Sequence, residues 1–130
     1  RREFQVEKKA DRSPVTIADK AAETYIRSQV HALYPDDAVL GEEFGEEPGT
    51  SDYQWIIDPI DGTKSFIAGV PLYSTLVAVS RGGQPFIGVI LLPALQQIVF
   101  AMRGDGAWTN ADPNYGCFKP AKVSRVAQLQ

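Results

Sequence analysis

The stretch Trp55-Ile56-Ile57-Asp58-Pro59-Ile60-Asp61-Gly62-Thr63 changes character twice within nine residues. With Tyr53 and Gln54 ahead of it, it begins as a run of β-formers, then meets two carboxylates around a proline, and ends on a glycine and a hydroxyl. Aromatic and β-branched residues suit a half-buried pleated strand. Pro59 has no N–H to offer a ladder and is expected to close that strand. A shorter run, Ala38-Val39-Leu40, ends in a similar way on Gly41-Glu42-Glu43, and a polar loop carrying Gly45, Pro48 and Gly49 separates the two. Each strand is thus followed by an acidic cluster. If the strands lie side by side in a sheet, residues just past their ends converge, and Glu42, Asp58 and Asp61 would present three carboxylates to one point.

Upstream, Thr16 followed three residues later by Asp19, ahead of Ala21, Ala22, Tyr25, Ile26, Val30 and Leu33, has the spacing of a capped amphipathic helix. Tyr25 and Ile26 are expected in the core. The helix should end near Tyr34, because Pro35 biases its predecessor away from helical angles. Downstream, Tyr73 to Ser80, the turn Arg81-Gly82-Gly83-Gln84, Pro85 to Leu92 and Gln97 to Met102 read as an antiparallel meander. Gly104-Asp105-Gly106 closes it, and a loop from Asp112 to Pro120 leads to an expected last strand around Val123. The fold class is α+β, one unit over residues 1–130 with a helix first and a largely antiparallel sheet after it.

Composition bounds the partners. The 130 residues carry 13 basic and 16 acidic side chains, a net charge of −3, with 44% hydrophobic and 10% aromatic residues. A chain of this length can build one core. No run of Lys or Arg is longer than a pair such as Lys8-Lys9, so neither a nucleic-acid backbone nor an anionic membrane is an expected partner. The longest apolar stretch, Phe86 to Leu95, is about half of the ~20 residues a membrane span requires, and no secretory signal opens the chain. One cysteine, Cys117, makes neither an intramolecular disulfide nor a Cys-rich zinc site. A reducing, cytoplasmic compartment is the default expectation.

Three carboxylates and a backbone carbonyl are hard ligands that select Mg²⁺ over zinc or copper, and a cation resolves their mutual repulsion. The carbonyl of Ile60, turned outward beside Pro59, is a candidate fourth oxygen. Gly62-Thr63-Lys64-Ser65 then reads as the start of a short helix through Phe66 and Ile67, where free N–H groups receive an anion. Cations beside an N–H cradle are two halves of a phosphate-handling site. An isolated Asp-x-x-Asp is ordinary turn chemistry; the second cluster at Glu42-Glu43 is what points to a metal. Read alone, Asp19 is a helix cap, His31 a surface side chain at the favourable dipole end, Glu46 and Glu47 solvated loop acids, and Cys117 an incidental loop thiol.

Val15-Thr16-Ile17-Ala18-Asp19, Gly41-Glu42-Glu43 and Trp55 to Thr63, in this order and spacing, resemble the inositol monophosphatase family. The resemblance covers nearly the whole chain and implies the N-terminal domain of a layered αβαβα sugar-phosphatase fold. It implies Glu42, Asp58, the Ile60 carbonyl and Asp61 as ligands of two or three Mg²⁺ ions. Thr63 and Asp19 would orient the attacking water, so that Asp19 is more than a cap, and Glu43 would support the metal site from behind. Backbone N–H groups of Gly62 and Thr63 would hold phosphate, with Lys64 either adding charge there or standing in solvent. The continuation Lys64-Ser65-Phe66-Ile67-Ala68-Gly69-Val70-Pro71 looks more like the histidinol-phosphate phosphatase branch, in histidine biosynthesis, than the inositol branch. Inositol 1-phosphate and a nucleotide 3′-phosphate are alternative substrates that share every named residue, and a non-catalytic cation- or partner-binding module is the rival from another class. Family resemblance further implies lithium sensitivity and a homodimer. A C-terminal α/β domain with a further metal-ligating Asp is expected beyond this chain, as is a first helix before Arg1, so the chain alone is expected to act weakly or not at all.

Overall fold

The computed structural model describes residues 14–124, with side chains described from residue 17 onward. Helix α1, Pro14–Leu33, is followed by strands β1 (Ala38–Gly41), β2 (Gly45–Glu47) and β3 (Tyr53–Asp61), and then by a short helix α2 (Thr63–Ile67). Beyond it run β4 (Ser74–Arg81), β5 (Gln84–Leu92), β6 (Gln97–Met102), β7 (Gly106–Asn110) and β8 (Phe118–Pro120). All eight strands form one sheet in the order β2-β1-β3-β4-β5-β6-β7-β8. The fold is α+β, with helices against a mixed, mostly antiparallel sheet.

The one parallel pair decides where chemistry can gather. β1 and β3 run in the same direction in register Ala38↔Gln54 to Gly41↔Ile57, so their C-terminal ends, and the acids that follow or close them, lie at the same edge of the sheet. Parallel neighbours need a crossover rather than a tight turn. Here the connection is 42–52, which folds β2 back along the outer side of β1, Val39 opposite Glu47. β4 then pairs antiparallel with β3 on its other side, and the two-residue turn Gly82-Gly83, with φ of 54° and 74°, returns the chain into β5. Positive φ at both central residues is the twist-matching hairpin geometry that glycine adopts without strain.

Val30 of α1 packs with Val39 of β1 and Ile57 of β3 as the buried apolar centre, flanked by Ile26 and Trp55. The indole N–H of Trp55 donates to Asp37 Oδ2 at 2.9 Å, and its ring lies 5.4 Å from that of Tyr34. This small core clamps the helix directly over the parallel pair.

Several expectations are corrected. α1 begins at Pro14, so Thr16 lies inside the helix and not at its cap; the side chain of Thr16 is outside the described residues. Tyr25 is 67% exposed and Leu33 69%, and the stripe turned to the sheet is Asp19, Glu23, Ile26, Arg27 and Val30, a mostly charged one. β3 does not close at Pro59. β1 pairs with it only as far as Ile57, and the pairing with β4 is irregular between Asp58 and Asp61, so the missing N–H falls where no regular ladder needs it. Glu46 and Glu47 belong to β2 rather than to a loop, and Glu47 lies 3.4 Å from Arg27 and 3.3 Å from His31. The last strand is Phe118–Pro120, whereas Val123 is outside it and 93% exposed.

Candidate active site

Asp58 lies in β3 just past Ile57, the last residue paired with β1, and Asp61 is the strand's final residue. Glu42 is the first residue after β1, and its N–H donates to the Ile57 carbonyl at 3.2 Å, so the chain leaving β1 is still tied to β3 where the acids begin. α1 brings Asp19, buried at 6% exposure, to the same end. Glu42, Asp61 and Asp19 all lie near enough to Asp58 to act on its charge.

Electrostatics report the crowding. Asp58 is pushed up from the ordinary 3.8 to about 6, first by burial, then by the charge of Glu42 and a hydrogen bond with its carboxyl, and further by the charges of Asp61 and Asp19. A hydrogen bond between two carboxyls needs a shared proton. Its Oδ1 is buried with no hydrogen-bond partner. A buried, orphaned carboxylate oxygen facing three further acids is stabilised either by that proton or by a hard cation, so the donor set fits Mg²⁺. As placed, no three His, Cys, Asp or Glu side chains among the described residues already surround one point closely enough to hold an ion. Glu42, Asp61 and Asp19 are near enough to Asp58 to raise its pKa.

The rest of the segment is held by β4. Thr75 Oγ1 donates to the Pro59 carbonyl at 2.8 Å and Ser74 Oγ to Asp61 Oδ2 at 3.3 Å, fixing the backbone on either side of Ile60. Gly62, at φ 83° and ψ 38°, is the residue before α2, and its carbonyl accepts the N–H groups of Ser65 and Phe66 at 2.9 and 3.1 Å. A Cβ there would sit 3.0 Å from the Leu72 carbonyl oxygen, so both the left-handed turn and the close approach of that strand entry require glycine. Thr63 is half-buried and Lys64 exposed in the first turn, where N–H groups fall outside the helical ladder. Glu43 is half-buried behind Glu42.

Two surface grooves, each about 560 Å³, lie elsewhere: one beside Arg27, His31, Phe44 and Glu47, the other beside Tyr34, Tyr53, Trp55 and Phe86. Neither is lined by the strand-end carboxylates. Cys117, expected to lack a partner, donates instead to Asp112 Oδ2 at 3.1 Å, and that bond holds its thiol above the usual range. A thiol so raised is a poor nucleophile, in keeping with an incidental role.

Sequence reasoning missed Glu23. It is wholly buried and accepts hydrogen bonds from Arg27 Nε at 2.8 Å and from the backbone N–H of Glu43 at 2.8 Å. Its spacing, four residues after Asp19 and on the helix face shared with Ile26 and Val30, is the signal that could have found it.

The fold is an α+β domain in which the parallel pair among the described residues brings Glu42, Asp58 and Asp61 to one end of the sheet, with Asp19 from α1 near Asp58 and a glycine-led helix start beside them. The chain belongs to the inositol monophosphatase family, a family of Mg²⁺-dependent phosphatases whose model matches residues 1–130. It is 50% identical over 128 residues to a histidinol-phosphatase of Chlorobaculum parvum, covering 98% of this chain and 47% of that protein. It is 44% identical over 129 residues to a histidinol-phosphatase of Mycobacterium tuberculosis, with 98% and 48% covered. Among solved structures, the Thermotoga maritima IMPase superposes with a TM-score of 0.74 at 35% identity, covering 85% of this chain and 40% of its own. The chain thus spans about half the length of the curated relatives it matches.

Proposed function

We propose that the protein to which this chain belongs is a Mg²⁺-dependent phosphate monoester hydrolase acting on histidinol phosphate. The observation that carries the chemistry is the buried, unpartnered Oδ1 of Asp58 among Glu42, Asp61 and Asp19. Glu42, Asp58, Asp61 and the Ile60 carbonyl would hold the metal. When bound, the cations neutralise phosphoryl oxygens and lower the pKa of water at the site. Thr63 on α2 and Asp19 on α1 would orient and activate the water that attacks phosphorus in line, while the ester P–O bond opposite it breaks and the departing alkoxide takes a proton from water. The N–H groups of Gly62 and Thr63 bind the phosphate oxygens and fix the angle of attack, Lys64 adds positive charge at the rim, and Glu43 braces Glu42. Positioning of this kind supplies much of phosphoryl-transfer catalysis.

Lys64 to Pro71 and the histidinol-phosphatases among the relatives support the substrate. No helix among the described residues is long and apolar enough to cross a membrane. A cytoplasmic homodimer and inhibition by lithium complete the reading. It is tested by phosphate release from the complete reading frame with Mg²⁺, offered histidinol phosphate, inositol 1-phosphate and adenosine 3′,5′-bisphosphate in parallel. Clear preference for histidinol phosphate is expected; preference for another ester would keep the chemistry and discard the branch, and release from none would discard the hydrolase.

A further inference from the structure

Glu23 is an acid at 0% exposure, outside the residues given a role above. A carboxylate removed from water is tolerable only when its oxygens are met by donors. Here Arg27 Nε donates to Oε1 at 2.8 Å, the N–H of Glu43 to Oε2 at 2.8 Å, and the N–H of Phe44 to Oε1 at 3.3 Å. Two of the three donors are backbone groups of the residues that immediately follow Glu42. Glu42 is pinned on its other side by its own N–H, on the Ile57 carbonyl. Its backbone is therefore held between β3 and a side chain that reaches down from α1.

Gly41 shows that this seat is exclusive. A Cβ on Gly41 would fall within the Glu23 carboxylate, whose three hydrogen bonds leave it nowhere to move. Arg27 extends the brace, donating to the Gly45 carbonyl and to Glu47, so that the whole turn between β1 and β2 is gripped from the helix. Such a grip is more than helix docking requires, since Val30 against Val39 and Ile57 already provides an apolar contact.

We infer that Glu23 is a positioning residue for the metal site: by fixing the backbone at 43–44 it aims the Glu42 side chain at Asp58 and so sets the affinity for the cation. This rests on the reading of Glu42 and Asp58 as metal ligands. Groups one step behind a metal ligand commonly change affinity without changing the chemistry.

The test is a calorimetric titration of Mg²⁺ into the complete protein, with kcat, KM for the phosphate ester and the Mg²⁺ dependence of phosphate release measured alongside. Two variants disturb the brace by different means: Glu23→Gln replaces an acceptor by a donor, and Gly41→Ala keeps every charge but displaces the carboxylate. Val79→Ala, a truncation at a buried site in β4 away from the strand ends, serves as the control for lost stability. Both brace variants should bind Mg²⁺ about 10- to 100-fold more weakly. At saturating Mg²⁺ their kcat should recover with KM unchanged, and Val79→Ala should bind Mg²⁺ as the wild type does. Should Glu23→Gln fail to fold, Gly41→Ala decides. Wild-type Mg²⁺ affinity in a folded brace variant, or an equal loss in Val79→Ala, would overturn the inference and leave the metal site standing. A wild-type protein that binds no Mg²⁺ would remove the metal site itself, and the inference with it.

Discussion

Asp58 is the residue on which opposing terms meet. Burial and three neighbouring acids raise it to about 6 from 3.8, so the folded protein binds a proton there more tightly than the unfolded chain does. The sign follows: this contribution to stability is complete below pH 3.8 and is lost as pH rises through about 6. In metal-free buffer, therefore, Asp58→Asn should gain stability relative to the wild type as pH rises from 4 to 7 in urea titrations, and Mg²⁺ at pH 7 should restore the wild type but not the variant. A difference that stays flat over this range would contradict the crowding. Asp61→Asn is expected to abolish turnover with little loss of folding, because its side chain is at an exposed strand end and one long bond to Ser74 is its described contact. Retention of more than a few per cent of activity would remove Asp61 from the metal set. At this scale the proximity of Glu42, Asp58 and Asp61 was legible because two acidic clusters each follow a strand-like run, whereas either alone reads as turn chemistry. Glu23 was not, since an acid on a helix reads as solvated until the packing shows which face is buried.

At the scale of elements, the parallel pairing of β1 with β3 brings two sequence clusters to one end of the sheet, and α2 starts directly after the second of them. Gly62 is the hinge of this junction. Gly62→Ala puts a side chain at φ 83° and 3.0 Å from the Leu72 carbonyl, which should cost about 1–3 kcal/mol in thermal or urea unfolding. The same variant should raise KM for the phosphate ester more than it lowers Mg²⁺ affinity, because it tilts α2 and leaves the carboxylates in place; equal KM would separate α2 from phosphate binding. β4, β5 and β6 were legible from apolar runs between glycine turns. β2 was missed because Gly45-Glu46-Glu47 has no β-former; its pairing with β1 and the ion pairs of Glu47 make the strand. β7 was missed because Ala107-Trp108-Thr109 is too short a run to stand out, and it is specified by register with β6, Phe100 opposite Trp108. The helix face was misjudged for a related reason: apolar periodicity pointed to Tyr25 and Leu33, whereas hydrogen bonding of Glu23 and Arg27 to the β1–β2 turn fixes the rotation of α1.

At the scale of the whole molecule, few of the described apolar side chains are buried in the core: Val30, Val39, Ile57 and Val79. Leu40, Ile56, Ile90, Met102 and Phe118 on the sheet, and Ile17, Tyr25 and Leu33 on α1, remain between 36% and 69% exposed. Such extended apolar surface is characteristic of faces that pack against something further. The chain, expressed as residues 1–130 alone, is therefore expected to bind an apolar dye and self-associate on size-exclusion chromatography, and the complete protein is expected to do neither as strongly. A monomeric, dye-silent 1–130 would show that these faces need no cover. The claim on which the remainder depends is that the carboxylates at the shared end of β1 and β3 hold a divalent cation. Its most direct test is a calorimetric Mg²⁺ titration of the complete protein beside its Asp58→Asn variant at pH 7.5. Saturable binding in the wild type that is lost or strongly weakened in Asp58→Asn is the predicted result; matching isotherms, or no binding by the wild type, would contradict it.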